Sequence, residues 1–239
     1  FNNQSIAIHF AQVLVHMISD YANHNIPYSL RHSLKDQCHN LIRQGEFHIV
    51  SEIFENLRNS IGTSANNQNI PGNDVLEIFS EIDFTHVILD TSDRWGKENL
   101  FYVTELIKKI GHPFVEPLLD RLAEEQNRQL RHYFLELLPQ LGNTVKDSVI
   151  GRLNDHRWYV IRNLVVVLRN LNDPSVASPL HTILEHPHPR VRDEVLRTLI
   201  QFDDPSAKRI LLREMESNDS SRCLKAISLA GITRHREAS

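Results

Sequence analysis

Along the C-terminal two-thirds of the chain, apolar residues recur at steps of three and four, which places their side chains on one face of an α-helix. Leu130, Phe134 and Leu141 lie on one such stripe, and Val191 and Phe202 mark the two ends of another. These stripes do not alternate with the period of two that a half-buried strand shows. The pattern therefore predicts helices of roughly 11–14 residues and almost no strand.

The helical stripes repeat at a nearly constant interval. Their last apolar residues, which are 31, 30 and 31 positions apart, are Ile110, Leu141, Leu171 and Phe202. A second apolar stripe follows each of the first ones, and these second stripes start at Val115, Val145, Val176 and Ala207. A fixed period of about 31 residues is typical of a helical repeat, whereas a globular helical bundle requires no fixed period.

The corners between the two helices of a repeat carry helix-start signals. Asp173-Pro174 and Asp204-Pro205 each offer a carboxylate N-cap followed by proline, whose missing N–H costs nothing at the first helical position. Gly111 and Gly142 mark the same corner in earlier repeats. Short helix pairs of this kind bury their apolar stripes only against the next pair. The sequence therefore predicts an all-α fold, an α-solenoid of antiparallel helix pairs.

Four segments carry a resemblance to a known family, and they are residues 115–119, 155–163, 172–174 and 176–180. They are similar to bacterial HEAT repeats, including those of phycobilin-lyase-like proteins, with good coverage of residues 98–239 and loose coverage of 74–97. The resemblance implies a HEAT-like array. Because that architecture carries scaffolds, lyases, hydroxylases and proteins like DNA glycosylases, it specifies the fold more strongly than the function.

The front of the chain lacks the repeat. Residues 1–61 predict an N-terminal helical segment that caps the array or continues it as degenerate repeats. Its first apolar stripe consists of Ile6, Phe10, Val13, Leu14, Met17 and Ile18. Residues 62–73 are polar and contain glycine, which predicts a flexible linker or loop. The HEAT-like array then covers residues 74–239.

Composition places the chain among soluble proteins, with 41% hydrophobic and 23% charged residues. Cys38 and Cys223 lie far apart, so we expect no disulfide framework and a cytoplasmic location. No apolar stretch reaches the length of a membrane span, and no signal-peptide pattern opens the chain. Because the sequence begins at Phe1, we take it as the C-terminal module of a larger bacterial protein.

Candidate chemistry is sparse. The chain has 14 histidines, of which His181, His186 and His188 form the one suggestive cluster for a metal, although a solvated loop is the simpler interpretation. The HEAT-repeat hydroxylase binds iron through His-Glu pairs, and no histidine of this chain precedes a glutamate. There is no glycine-rich phosphate loop, and both cysteines fall on or beside apolar stripes. We therefore expect no enzymatic activity and no cofactor.

A basic residue recurs near the start of each first helix, and the four residues are Arg131, Arg162, Arg192 and Lys225. We call them the basic ladder. Each side chain could hydrogen-bond loop carbonyls or a carboxylate of a neighbouring repeat, or the row could form a track for an acidic peptide or a nucleic-acid backbone. Arginine at three of the four positions favours the structural role, because its planar fork suits fixed and partly buried sites.

Three large side chains open the first helix of the central repeat: Arg157, Trp158 and Tyr159. The equivalent positions in the neighbouring repeats, 127–129 and 188–190, are polar or small. Trp158 is either local core beneath the adjoining turn or an exposed anchor for a partner, since Trp, Tyr and Arg dominate interface energetics.

The repeat and the missing catalytic set favour a non-catalytic protein–protein interaction scaffold with no membrane contact. The alternative is nucleic-acid binding through the basic C-terminal half. Residues 126–239 carry 17 Lys and Arg against 13 Asp and Glu.

Overall fold

The computed structural model describes residues 3–20, 26–62, 73–92 and 97–237. Within these ranges every regular element is helical, with α-helices and short 3-10 turns and no strand. The predicted all-α solenoid class is therefore confirmed. No helix of these ranges is both long and apolar enough to cross a membrane.

The chain divides into two compact units, residues 1–121 and 122–239. The helices that begin in the first unit are α1 (Asn3–Asp20), α2 (Tyr28–Arg43), α3 (Phe47–Gly62), α4 (Asn73–Leu76), α5 (Ile82–Ser92), α6 (Lys97–Ile110) and α7 (Val115–Glu124). Helix α1 packs on α2 and α3, while α2 packs on α5 and α3 on α6. Helices from both sides of the predicted linker therefore share this unit. Residues 63–72 lie outside the described ranges, so the linker and the boundaries at 61 and 74 stay predictions.

The apolar stripe of α1 is divided in the structure. Its buried side chains are Ala11, Leu14, Val15 and Ile18, and its exposed ones are Ile6, Phe10, Val13 and Met17. The single stripe predicted from the sequence corresponds to two adjacent rows of side chains on the helix. The structure shows that α2 and α3 cover only one side of this wide apolar face.

The second unit contains the predicted helix pairs that follow the first one, while the first pair corresponds to α6 and α7. Its helices are α8 (Arg128–Leu137), α9 (Thr144–Gly151), α10 (Trp158–Leu171), α11 (Ala177–His181), α12 (Pro189–Gln201), α13 (Pro205–Met215) and α14 (Ser220–Glu237). Helix α10 packs between α8 and α12, and α12 also contacts α14. The shorter helices α9, α11 and α13 pack against α10, α12 and α14. A 3-10 turn extends α8 to Leu141, and another precedes α11.

The corners follow the predicted capping chemistry. Asp173 accepts a hydrogen bond from the backbone N–H of Ser175 at 2.9 Å. Asp204 caps α13, because its Oδ1 accepts from the N–H groups of Ser206 at 2.9 Å and Ala207 at 3.0 Å. Gly142 has a φ of 79°, a backbone conformation that favours glycine at the preceding corner.

Candidate binding cleft

A cleft of about 740 Å³ opens in the second unit where the N-terminal ends of α10 and α12 meet α8 and the last turn of α7. We call it the arginine cleft. The side chains that line it are Leu122, Ala123, Glu125, Gln126, Arg131, Trp158, Tyr159, Arg162, Asn163, Arg190, Asp193, Glu194 and Arg197. The cleft therefore combines four arginines, three carboxylates and two aromatic rings across successive repeats.

Arg157, the first of the three predicted partner-binding residues, is held by ion pairs. It precedes α10, and its Nε and Nη2 donate to the two carboxylate oxygens of Asp155 at 3.0 and 2.8 Å. Its Nη1 reaches Glu124 Oε1 at 2.5 Å. The hydrogen bond from Arg157 lowers the pKa of Asp155 to about 2. Arg157 thus ties the loop before α10 to the end of α7.

Trp158 joins the starts of two successive first helices. Its ring stacks on the imidazole of His188 with centroids 3.8 Å apart and planes nearly parallel. The guanidinium carbon of Arg190 lies 5.4 Å from the indole centroid, a cation–π distance. Tyr159 meets Trp158 edge to face and is exposed. Trp158 is partly buried and lines the cleft, so it contributes to the junction between repeats and to the surface at once.

The basic ladder makes different contacts at its successive positions. Arg131 donates to the carbonyl of Glu125 at 3.1 Å, six residues earlier. Arg192 donates to the carbonyls of His186 and Pro187, each at 2.8 Å, and so braces the equivalent loop. These are loop-carbonyl contacts of the kind that the structural alternative describes. The side chain of Lys225 lies outside the described part of the chain.

Arg162 instead pairs with a buried carboxylate of the next repeat. Its Nη2 lies 3.2 Å from Glu194 Oε2. Arg169, about two turns further along α10, donates to Glu194 Oε1. The Glu194 side chain is 6% exposed, against 20% for Arg169 and 41% for Arg162. Buried carboxylates require such pairing, because desolvation otherwise makes their charge costly. Glu194 therefore connects α12 to α10 through two arginines.

Three residues of this region are not singled out by the sequence pattern: Glu194, Arg169 and a second buried polar side chain, Asn163. Asn163 is 5% exposed and lines the arginine cleft. One signal was available. Glu194 falls between Val191 and Val195 on an apolar stripe, just as Asn163 interrupts an apolar run, and polar residues at core positions are exceptions that call for a partner.

Two arginines of α12 have guanidinium groups that no carboxylate in the described part of the chain neutralises. Arg190 and Arg197 are exposed, and neither guanidinium takes part in an ion pair within the described ranges. They are seven residues apart on one helix, a separation of about 10.5 Å along its axis. The cleft thus presents two unneutralised positive charges beside an aromatic pair.

The histidine cluster is used for backbone and carboxylate contacts. His186 Nδ1 accepts from the N–H of His188 at 3.0 Å, and His188 Nδ1 accepts from the N–H of Arg190 at 3.3 Å, capping α12. His181 Nε2 lies 3.0 Å from Asp204 Oδ2. Across the residues that the structure describes, no three His, Cys, Asp or Glu side chains converge to hold a metal.

The two cysteines are free. Cys38 is fully buried, and burial raises the pKa of its thiol to about 12, so it stays protonated at neutral pH. Cys223 is half-buried, with its Sγ 3.2 Å from the carbonyl oxygen of Met215.

Stacked antiparallel helix pairs with a shared core define the class of helical repeat proteins. Residues 147–230, which run from α9 into α14, match the sequence family of HEAT repeats. The match supports HEAT repeats in the second unit. No curated protein sequence matches the chain.

Proposed function

We propose that this protein is a non-catalytic interaction module that binds an acidic segment of a partner protein in the arginine cleft. HEAT repeats generally act as scaffolds for protein interactions. The observation that carries the proposal is the pair of unneutralised guanidiniums, Arg190 and Arg197, in a cleft that also contains Trp158 and Tyr159. Tyr, Trp and Arg are the residues that dominate binding energy at protein interfaces.

The charge pattern of the cleft favours a protein over a nucleic acid. Glu125, Asp193 and Glu194 line the same cleft as the arginines. A peptide carries its carboxylates on flexible side chains, so it can direct some of them to Arg190 and Arg197 and turn the others towards solvent. A nucleic-acid backbone carries its charges in the main chain, so phosphates that follow the cleft would meet its carboxylates.

The carboxylates with the largest shifts support a binding role over a catalytic one. The pKa of Asp155 is lowered to about 2 by Arg157, and that of Asp173 to about 2 by Lys146. Burial opposes the ionisation of Asp204, but hydrogen bonds from Ser206 and His181 lower its pKa to about 2 as well. A general acid or base near neutral pH needs a pKa close to the working pH. These three carboxylates stay ionised and serve as ion-pair partners and helix caps.

Binding of fluorescein-labelled hexaglutamate, followed by fluorescence anisotropy, tests the proposal. This peptide is extended because its charges repel one another, and it presents many carboxylates. Replacement of both Arg190 and Arg197 by alanine is expected to weaken binding by about tenfold or more, the loss of one to two charged contacts. Arg209→Ala is the matched control, since Arg209 is exposed on α13 and does not line the cleft.

Two outcomes contradict the proposal. One is wild-type protein that does not bind hexaglutamate, or binds it as tightly after the double replacement. The other is a gel shift of duplex or single-stranded DNA at low salt that the double replacement abolishes, since that result assigns the cleft to nucleic acid.

A further inference from the structure

One buried polar side chain in the arginine cleft has no partner inside the protein. Asn163 as a whole residue is 5% exposed, and its side chain lines the cleft. Over residues 3–20, 26–62, 73–92 and 97–237, no hydrogen bond joins this amide to another group. Buried amides are nearly always hydrogen-bonded, because removing them from water without a partner destabilises the fold.

A nearby residue shows how the same fold satisfies a buried polar group. Thr198 on α12 is completely buried, and its hydroxyl donates to the carbonyl of Glu194 at 2.8 Å. Asn163 lies between Ile161 and Leu164, in a run where an apolar side chain would continue the core pattern. Packing alone therefore does not account for an asparagine at this position.

The surroundings of Asn163 indicate what its amide would bind. Tyr159 lies one turn earlier on the same face of α10. Arg190 and Arg197 lie about 10.5 Å apart along α12, the length of roughly three residues of extended chain. A carboxamide offers an N–H donor and a carbonyl acceptor, and a peptide group of an extended chain offers the complementary pair.

We infer that Asn163 hydrogen-bonds the main chain of an extended acidic segment whose carboxylates pair with Arg190 and Arg197. This inference rests on the proposed function and assigns the residue that recognises the peptide backbone. The arginines select charge, and Asn163 selects an extended chain with a free N–H and carbonyl at that point. In the free protein this amide has no partner among the described residues, and the bound segment supplies one.

Asn163→Leu tests the inference, because leucine has the same branching and the same number of side-chain heavy atoms and fits an apolar site. If the amide serves binding, this replacement leaves the melting temperature unchanged or raises it, since an unpaired buried group is removed. Its affinity for hexaglutamate falls by roughly three- to tenfold, the loss of one or two hydrogen bonds. A lowered melting temperature with unchanged affinity overturns the inference and gives Asn163 a structural role.

A double-mutant cycle separates backbone recognition from charge. The second probe is hexaglutamate with N-methylated main-chain amides, which keeps its six carboxylates and loses the N–H donors. Wild-type protein is expected to bind it more weakly than the plain peptide, whereas Asn163→Leu binds the two peptides equally. An equal loss in both proteins overturns the inference alone, provided that the Arg190 and Arg197 replacement still weakens binding. Absence of any binding by wild type overturns the proposed function and this inference together.

Discussion

Trp158 contacts the next repeat and also lines the arginine cleft, so its replacement should affect both stability and binding. Its ring stacks on His188 and lies under Arg190, and part of it lines the arginine cleft. Trp158→Ala is expected to lower the free energy of unfolding by roughly 2 kcal/mol, because it removes an aromatic stack, a cation–π contact and buried area. Urea denaturation measures this loss.

Trp158→Phe is the control, since a phenyl ring keeps most of the stack. Anisotropy with hexaglutamate, corrected for the folded fraction, shows whether alanine also weakens binding, as a residue in the cleft should. A Trp158→Ala protein that unfolds at the wild-type urea concentration would rule out the junction role of this ring.

His188 makes the stability of the second unit depend on pH. Its Nδ1 must be unprotonated to accept from the N–H of Arg190. Burial first, and then the charges of Arg190, His186 and Arg192, lower the pKa of His188 below its ordinary 6.5. The contribution of this cap is therefore complete above about pH 6.5 and is lost as the pH falls through the lowered pKa of the folded state.

We expect the melting temperature to fall more between pH 7.5 and about pH 5 in wild type than in His188→Asn, because asparagine caps helices without titrating. The other histidines are present in both proteins, so the difference isolates His188. Parallel pH profiles for the two proteins would exclude the cap as a source of the dependence.

Single residues were predictable from the sequence only where the cause is local. Asp173 and Asp204 are N-caps because their side chains accept from N–H groups two or three residues ahead. Asn163 and Glu194 depend on what the neighbouring helix places against them, and the sequence of one helix does not contain that information. The stack of Trp158 on His188, 30 residues later, could not be predicted from the sequence for the same reason.

At the scale of helices, the contact of α10 with α12 reverses the order of two arginines, because the repeat pattern of the sequence singles out Arg162 and not Arg169. Arg169 is largely covered where it meets Glu194, whereas Arg162 is much more exposed. Arg169→Ala is expected to lower the free energy of unfolding by about 1.5–3 kcal/mol, the value of a buried hydrogen bond to a charged group. Arg162→Ala should cost less than about 1 kcal/mol, because solvent screens its ion pair. Urea denaturation of the two variants measures which loss of unfolding free energy is larger. A larger loss for Arg162→Ala would show that the more exposed arginine stabilises the contact between α10 and α12.

Helix ends were the most predictable elements. Ile110, Leu141 and Leu171 end helical segments in the structure as they end apolar stripes in the sequence, because stripe, turn and cap coincide. The face of α1 was less predictable. Its apolar residues are numerous enough to cover two rows, and only contact with α2 and α3 determines which row is buried.

At the scale of the whole chain, residues 62–73 are expected to be the first site of limited proteolysis, because their sequence is polar with few large apolar residues. A denaturing gel should show two fragments that meet near this segment. The fragments should nevertheless elute together in size-exclusion chromatography, since α2 and α3 on one side pack against α5 and α6 on the other. First cleavage within residues 98–202, or fragments that separate without denaturant, would contradict the prediction.

The Glu194 contact has a consequence for how the second unit comes apart. In a linear array, cooperativity arises from free energy stored between neighbours, not within them. Glu194 belongs to one repeat, and both of its arginines belong to the preceding one. Their contact therefore contributes free energy between neighbouring repeats. Glu194→Gln should therefore reduce the steepness of the urea transition, the m-value, as well as its midpoint. Asn127→Ala, which removes a cap confined to α8, should shift the midpoint and leave the steepness unchanged. One buried carboxylate would then determine whether these helix pairs unfold together or in sequence.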